Sequence, residues 1–451
     1  MQLTFLGATQ TVTGSKYLFE YRTKKILIDC GLFQGFKELR LRNWAPLPVN
    51  PAEIDAVILT HAHIDHSGYI PLLVRDGFKG TVYASSATFD LCKILLPDSG
   101  HIHEEDARRA NRYGYTRHSP ALALYTRDDA VTSLEHFKVV DFGEPHYLGD
   151  DFHFTLSRSG HILGSAFITI NAGGKSIVFS GDLGRPDDPI MKAPVKLTHG
   201  DYLLIESTYG DRLHGKTDPA TELAQVINSA AAKGGTILIP TFAVGRAQSI
   251  IYYIHGLKKS GRIPNIPVYV DSPMATNATN LLCKHENEHS LTPSFCGEVC
   301  NSAVYTRTVE DSKALGANVM PKVIISASGM ATGGRVLHHL KNLMGDPKNT
   351  ILFTGFQAGG TRGEAMIEGQ KMIKIHGHMY SLRANVESLD NISAHADYAE
   401  ILEWLANFKK PPLHTFITHG DLRAAKALQK KIRDEFGWKT SIPEYLDTVP
   451  L

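Results

Sequence analysis

Cysteine is scarce: five in 451 residues (Cys30, Cys92, Cys283, Cys296 and Cys300), an odd and scattered set. That excludes a disulfide framework of the secreted kind and predicts a reducing, cytoplasmic setting. No apolar run reaches the roughly 18 residues that a membrane-spanning helix needs. The opening MQLTFLGATQ has no charged segment ahead of its apolar residues, so no signal peptide is expected either. Neither sign of charge dominates, with 47 Lys and Arg against 46 Asp and Glu. This excludes a uniformly basic surface for duplex nucleic acid and leaves room for a local basic groove. With 43% hydrophobic and 21% charged residues, the composition fits neither a disordered chain nor a collagen-like repeat. The length predicts two or three domains. Histidine is what the chain has in quantity, 22 copies, and their positions carry the argument.

Residues 1–207 read as short strands joined by Gly-rich turns: QLTFLG, SKYLFEY, KKILID, DAVILT, FHFTLS, AFITIN, KSIVFS and YLLIE. NAGG at 171–174 marks a hairpin. A helix-forming, charged stretch at 86–135 interrupts them, so this part is mixed α and β with largely antiparallel sheets. From 208 to 383 the rhythm changes to alternating helix and strand, exemplified by PATELAQVINSAAAKGG followed by TILIP. That alternation predicts a parallel sheet covered on both faces. Residues 384–451 offer a helix capped by Asp397 and the strand HTFIT, too little for a core of its own. They are expected to complete the first domain, with 208–383 as an insertion.

The strongest chemical signal is T-H-A-H-I-D-H, closing the apolar run IDAVILT. In extended chain, residues two apart point the same way, so His61 and His63 can share one metal ion. Asp65 and His66 follow on the turn and can face a second ion. Imidazole with carboxylate suits Zn²⁺ and, less well, Mn²⁺. Further donors sit at equivalent places: His161 in SGHILG, Asp182 after SIVFSG and His419 after HTFIT. Asp29 ends KKILID, where it can orient the histidine loop.

HAHIDH, GHILGS and FSGD, with their spacing, resemble the metallo-β-lactamase superfamily, which implies an αββα sandwich with a metal site at one edge. Glu206 in LLIESTYG, His395 in NISAHAD and His419 in FITHG resemble the three extra motifs of its β-CASP nucleases, most of all the compact prokaryotic members. In that group an α/β cap domain is inserted between the acidic motif and the histidine motif. The third motif is histidine in members that cut RNA and aliphatic in those that cut DNA. The resemblance implies two zinc ions per chain: one held by His61, His63 and His161, the other by Asp65, His66 and His419, with Asp182 bridging. A hydroxide between the ions would attack the phosphodiester of single-stranded RNA. His395 would protonate the leaving oxygen, and Glu206 would orient it. Internal cleavage is favoured, with 5′ exonucleolysis as the alternative. The oligomeric state stays open, a homodimer included.

Three turns in the inserted segment offer places for phosphates. FAVGRAQ puts Arg246 at a helix start, SASGM supplies Ser326, Ser328 and Gly329, and GFQAGGTRG supplies Gln357, Thr361 and Arg362. Ser207 and Tyr209, beside Glu206, are further substrate contacts, and Phe242 and Phe356 adjoin the turns as stacking candidates. GDRLHGKT at 210–217 matches a phosphate-binding loop and makes a nucleotide hydrolase the competing function. Against it, Asp218-Pro219 starts the next helix after Thr217, whereas the Lys-Thr of such a loop lies inside the helix. A thioesterase on the same fold would need neither Glu206 nor His395. A non-catalytic RNA-binding scaffold would not need every ligand in place. Cys283, Cys296 and Cys300, near His285 and His289, match no common zinc spacing, so no third metal site is expected.

Overall fold

The computed structural model describes residues 1–114, 116–355 and 357–451, so Phe356 lies outside the described residues. The chain forms two compact units, Met1–Leu213 with Ala394–Leu451, and His214–Ser393.

The first unit stacks two seven-stranded sheets. One runs Thr448–Pro450, Gln2–Phe5, Tyr17–Tyr21, Lys24–Ile28, Ala56–Ile58, Thr81–Ala84, Phe137–Val139. The other runs Thr440–Ser441, His414–Thr418, Tyr202–Glu206, Lys175–Phe179, Ala166–Ala172, Phe152–Arg158, His146–Gly149. Phe5, Phe19, Ile28 and Ile58 from the first sheet meet Phe154, Ile168, Phe179 and Phe416 from the second in one buried core. The helices Tyr398–Leu405 and Leu422–Phe436 cover the second sheet's other face, packing Leu405 and Leu428 on Leu203, Ile205 and Ile417. The result is the αββα sandwich.

These sheets are not largely antiparallel. Lys24–Ile28 through Phe137–Val139 pair in parallel, as do Lys175–Phe179, Tyr202–Glu206 and His414–Thr418. The reason is in the connections: helical segments follow Ala56–Ile58 and Thr81–Ala84, and the whole second unit separates Tyr202–Glu206 from His414–Thr418. Such crossovers return a strand in the same direction. The tail adds two short strands beyond HTFIT, one of which, Thr448–Pro450, pairs with Gln2–Phe5.

The second unit holds a six-stranded, fully parallel sheet in the order Val304–Tyr305, Val268–Val270, Lys322–Ser326, Thr236–Pro240, Thr350–Phe353, Asn385–Ser388. TILIP is buried along its whole length. Ile237 and Ile239 face the core built with Ile250, Ile254 and Leu257, while Leu238 faces the one built with Leu337 and Leu340. This unit reaches Ser393 rather than 383, because Asn385–Ser388 completes its sheet against Thr350–Phe353. Residues 208–213, likewise, fall with the first unit. Cys283 and Cys296 form a disulfide that the cysteine count did not predict. The helices that end at Lys284 and Cys300 bring their Cα atoms to 5.9 Å, within disulfide range. Among the described residues no helix is long and apolar enough to cross a membrane.

Candidate metal centre and active site

Donors gather where parallel strands end. Asp29 follows Lys24–Ile28, His61 lies just past Ala56–Ile58, Asp182 just past Lys175–Phe179, Glu206 ends Tyr202–Glu206, and His419 follows His414–Thr418. Loops at the carboxyl ends of parallel strands are where such folds place ligands. His61, His63, His161 and Asp182 bring donor atoms within 4.8 Å of one another, and Asp65, His66 and His419 form a second group of the same kind. Asp182 divides its oxygens between them. Oδ2 lies 3.5 Å from His61 Nε2 and 3.4 Å from His161 Nε2, while Oδ1 lies 3.2 Å from His66 Nε2. Asp65 Oδ2 is 3.4 Å from His419 Nε2, which is 3.2 Å from His66 Nε2.

This donor set fits divalent metal ions. Ring nitrogens face one another (His61 Nε2 to His63 Nδ1 at 3.1 Å, His161 Nε2 to His63 Nδ1 at 3.3 Å) in a buried place. Burial holds the His61 and His161 imidazoles well below their ordinary value and His63 down to about 4, so all three are neutral, the form that ligates. Burial opposes charge on His66 as well, but the Asp182, Asp29 and Asp65 carboxylates raise it well above its ordinary value. Asp182 is held well below the usual carboxylate range: burial raises it, and the surrounding histidines, His419 and His66 foremost, outweigh that.

Asp29 touches His66 through Oδ2, 2.7 Å from Nδ1, and accepts from the Thr60 backbone N–H at 2.8 Å. It thereby leaves His66 Nε2 facing the cluster, a positioning role. The histidine loop continues as a short helix, Ile64–Ser67, rather than a turn. It is pinned from behind: Ser15 N–H donates to Asp65 O at 2.8 Å and Cys30 N–H to His66 O at 2.7 Å. Gly31 packs so close that a Cβ there would lie 1.6 Å from Asp65 O. Lys16 locks this support. Fully buried between the Phe33 and Tyr69 rings, its Nζ donates to Gly31 O at 2.5 Å.

Glu206 is buried and its direction fixed. Leu183 N–H donates to Oε1 at 2.6 Å, and His395 Nδ1 lies 3.1 Å from Oε2. The other ring nitrogen of His395 faces Asp182 Oδ2 at 3.9 Å. Burial lowers His395, yet the Glu206 and Asp182 charges more than offset this and lift it to about 8. Helix capping is done by Asp397, which forms a capping box with Glu400. Sequence reasoning missed Thr60, Thr208 (Oγ1 to His419 Nδ1, 3.1 Å) and Ser15 (Oγ to His66 Nε2, 3.4 Å). The hydroxyl residues in T-H-A-H and E-S-T-Y were the available signal.

The three turns of the second unit adjoin one another beyond neighbouring strands. Gly329 abuts the Phe242 backbone, Gly363 N–H donates to Met330 O at 3.2 Å, and the Arg246 guanidinium lies against Gly355. Arg246 opens the helix Arg246–Lys259 as expected and is buried. Other members of the set are engaged within the fold. Ser326 Oγ donates to Asp271 O at 3.0 Å, Thr361 caps the helix Arg362–Ile367, and Gln357 Nε2 donates to Gly355 O at 3.3 Å. Arg362 donates from Nε to Lys374 O at 2.7 Å and from an Nη to Ala331 O and Thr332 O, each at 3.1 Å. SASGM does not open a helix; the next one is Val336–Leu343, and Ser328 Oγ instead accepts from Thr332 N–H at 3.0 Å. In the first unit, Ser207 Oγ donates to Thr418 O at 2.8 Å, and the buried Tyr209 ring lies 6.2 Å from that of His395. Lys216 and Thr217 are exposed and precede the helix Pro219–Ala232, whose cap is Asp218.

Residues 11–231 match the metallo-beta-lactamase superfamily, 247–366 the Beta-Casp domain, and 379–443 the Zn-dependent metallo-hydrolase RNA specificity domain. A ribonuclease of Thermus thermophilus is 35% identical over 461 residues, covering all of both chains. The chain belongs to the β-CASP ribonucleases of the metallo-β-lactamase superfamily. An RNase J-like protein of Methanocaldococcus jannaschii is 30% identical, covering 98% of this chain and 97% of that one. Transcription termination factor FttA of Thermococcus kodakarensis is 31% identical, covering all of this chain and 71% of its own length. A solved Enterococcus faecalis protein of unknown function shares the fold, with TM-score 0.53 at 14% identity, covering 100% of this chain and 99% of that one. β-CASP membership makes the chain a metal-dependent hydrolase, and its His/Asp cluster is a donor set that could hold metal ions.

Proposed function

We propose that this β-CASP protein hydrolyses phosphodiester bonds of single-stranded RNA in the cytoplasm, internally rather than from the 5′ end. His61, His63 and His161 would hold one zinc ion and Asp65, His66 and His419 the other, with Asp182 shared between the two groups. Bound there, zinc would supply a water activated near neutral pH and neutralisation of charge on the phosphoryl oxygens. The chain's own contribution is the proton. His395, kept protonated by Glu206, gives it to the departing ribose oxygen, and the Leu183 N–H holds the carboxylate in place. Within the second unit, Arg246 and the turns around Ser328 and Gly355 are the phosphate contacts. The observation that carries this reading is the His395–Glu206 contact at 3.1 Å, aimed at the bridging aspartate. The names of the Thermus and Methanocaldococcus relatives, and of the RNA specificity domain, support RNA as the substrate.

The test supplies internally labelled and 5′-labelled single-stranded RNA, and DNA of the same sequence, with and without chelator. Chelator-sensitive fragments with 5′-phosphate ends from RNA alone are expected. Equal cutting of DNA, or cutting that survives metal removal, refutes the assignment.

A further inference from the structure

Outside the histidine cluster, a second group of metal-binding side chains stands in the inserted unit. The Sγ atoms of Cys283, Cys296 and Cys300 all lie within 4.8 Å of one another. Cys296 and Cys300 are four residues apart on the helix Pro293–Cys300 and share a face, while Cys283 comes from the last turn of Pro273–Lys284. Cys296 is fully buried and forms the floor; Cys283 and Cys300 are partly open to solvent. Tyr305 Oη donates to Cys300 O at 2.6 Å and fixes that helix end.

A structural disulfide needs two sulfurs, and Cys283–Cys296 would suffice. The third sulfur nevertheless stands 3.0 Å from Cys283 Sγ. All three sulfurs fit within 4.8 Å of one another, close enough to share one central ion.

We propose that once a phosphine or dithiol reductant has opened Cys283–Cys296, the sulfurs of Cys283, Cys296 and Cys300 bind one soft monovalent cation, copper(I). Reduction adds two electrons and two protons to the disulfide, and coordination then releases the three thiol protons to solvent. Three thiolates suit copper(I). A closed structural zinc site would want a fourth protein ligand, and the nearby His289 has both ring nitrogens occupied, Nε2 by Leu282 O at 3.0 Å and Nδ1 by the Leu291 N–H at 3.2 Å. An iron–sulfur cluster takes four cysteines, and no carboxylate belongs to the group to hold a hard cation.

The experiment uses the full chain with its histidine site zinc-loaded, reduced and handled without oxygen, titrated with copper(I) against a coloured copper(I) chelator. One ion per chain, with near-ultraviolet thiolate-to-copper absorption, is expected. Cys300→Ser should weaken retention at least tenfold. In parallel, copper(I) should slow alkylation of Cys283, Cys296 and Cys300 in the unmutated protein, a readout that does not depend on a variant folding. Unchanged alkylation of all three, or wild-type copper retention by a folded Cys300→Ser protein, overturns the site. Neither result touches RNA cleavage, so failure here is separable from failure of the nuclease reading.

Discussion

Glu206 Oε2 and His395 Nδ1 lie 3.1 Å apart although 189 residues separate them in sequence. The contact joins the end of the strand Tyr202–Glu206 to the segment leading into the helix Tyr398–Leu405, next to which Gly184 and His395 form an isolated antiparallel bridge. His395→Ala should lower kcat by about 10²–10⁴ with unchanged metal content. Glu206→Gln should lower kcat at nearly constant KM. Steady-state kinetics beside metal analysis checks both, and an undiminished kcat in His395→Ala would remove the acid from the mechanism.

Because the Asp182 oxygens are divided between the two donor groups, Asp182→Asn should hold fewer than two metal ions per chain by elemental analysis. Asp29→Asn differs. It removes a partner of His66 rather than a ligand, so both ions should still bind, with one about 10–100-fold weaker.

The exposed Lys216 lies ahead of a helix that Asp218 caps, so the resemblance of 210–217 to a nucleotide-binding loop is one of letters only. Lys216→Ala should keep RNA cleavage within about twofold, and ATP should not raise the Tm of the parent protein. Scanning calorimetry with and without ATP checks the second point.

Burial lowers Lys16 to about 8 from its ordinary 10.5. Between those values the unfolded chain holds more protons than the folded one, so this residue makes stability rise with pH across that window. Below it, the lysine carries a penalty of up to about 3 kcal/mol, partly offset by the Gly31 bond and two aromatic rings. Urea unfolding should show the parent gaining on Lys16→Met between pH 7 and pH 10. Parallel pH curves would mean that the lysine is not buried in solution.

Asp271 is fully buried at the end of Val268–Val270 and gathers His339 Nε2 at 2.5 Å, Ser312 Oγ at 2.5 Å and an Arg335 Nη at 2.7 Å. Asp271→Ala should cost about 3–5 kcal/mol, as loss of one partner from a buried ion pair does. Chemical denaturation of the variant measures it, and a cost under 1 kcal/mol would contradict the buried network.

What the sequence made legible were features written in consecutive letters. HAHIDH, the strand-end aspartates and the switch from hairpin spacing to helix–strand alternation led to the histidine cluster and the inserted sheet. Features assembled across the fold were hidden. Nothing marks Lys16 as buried until Gly31, Phe33 and Tyr69 close around it. Asp271 draws its partners from 312, 335 and 339. Arg362 looked like a phosphate grip, yet its reach to three carbonyls depends on where 331, 332 and 374 fall. The parallel half of each sheet in the first unit was missed because the letters of a strand do not record the direction of its neighbour.

The first unit is closed only by Ala394–Leu451, which bears on when during its own synthesis the protein becomes active. A chain still being translated carries most of the donors early, but His395 and His419 emerge last, after the whole inserted unit. A chain stopped within the insertion would lack the strands His414–Thr418 and Thr448–Pro450, and with them a complete version of either sheet in the first unit.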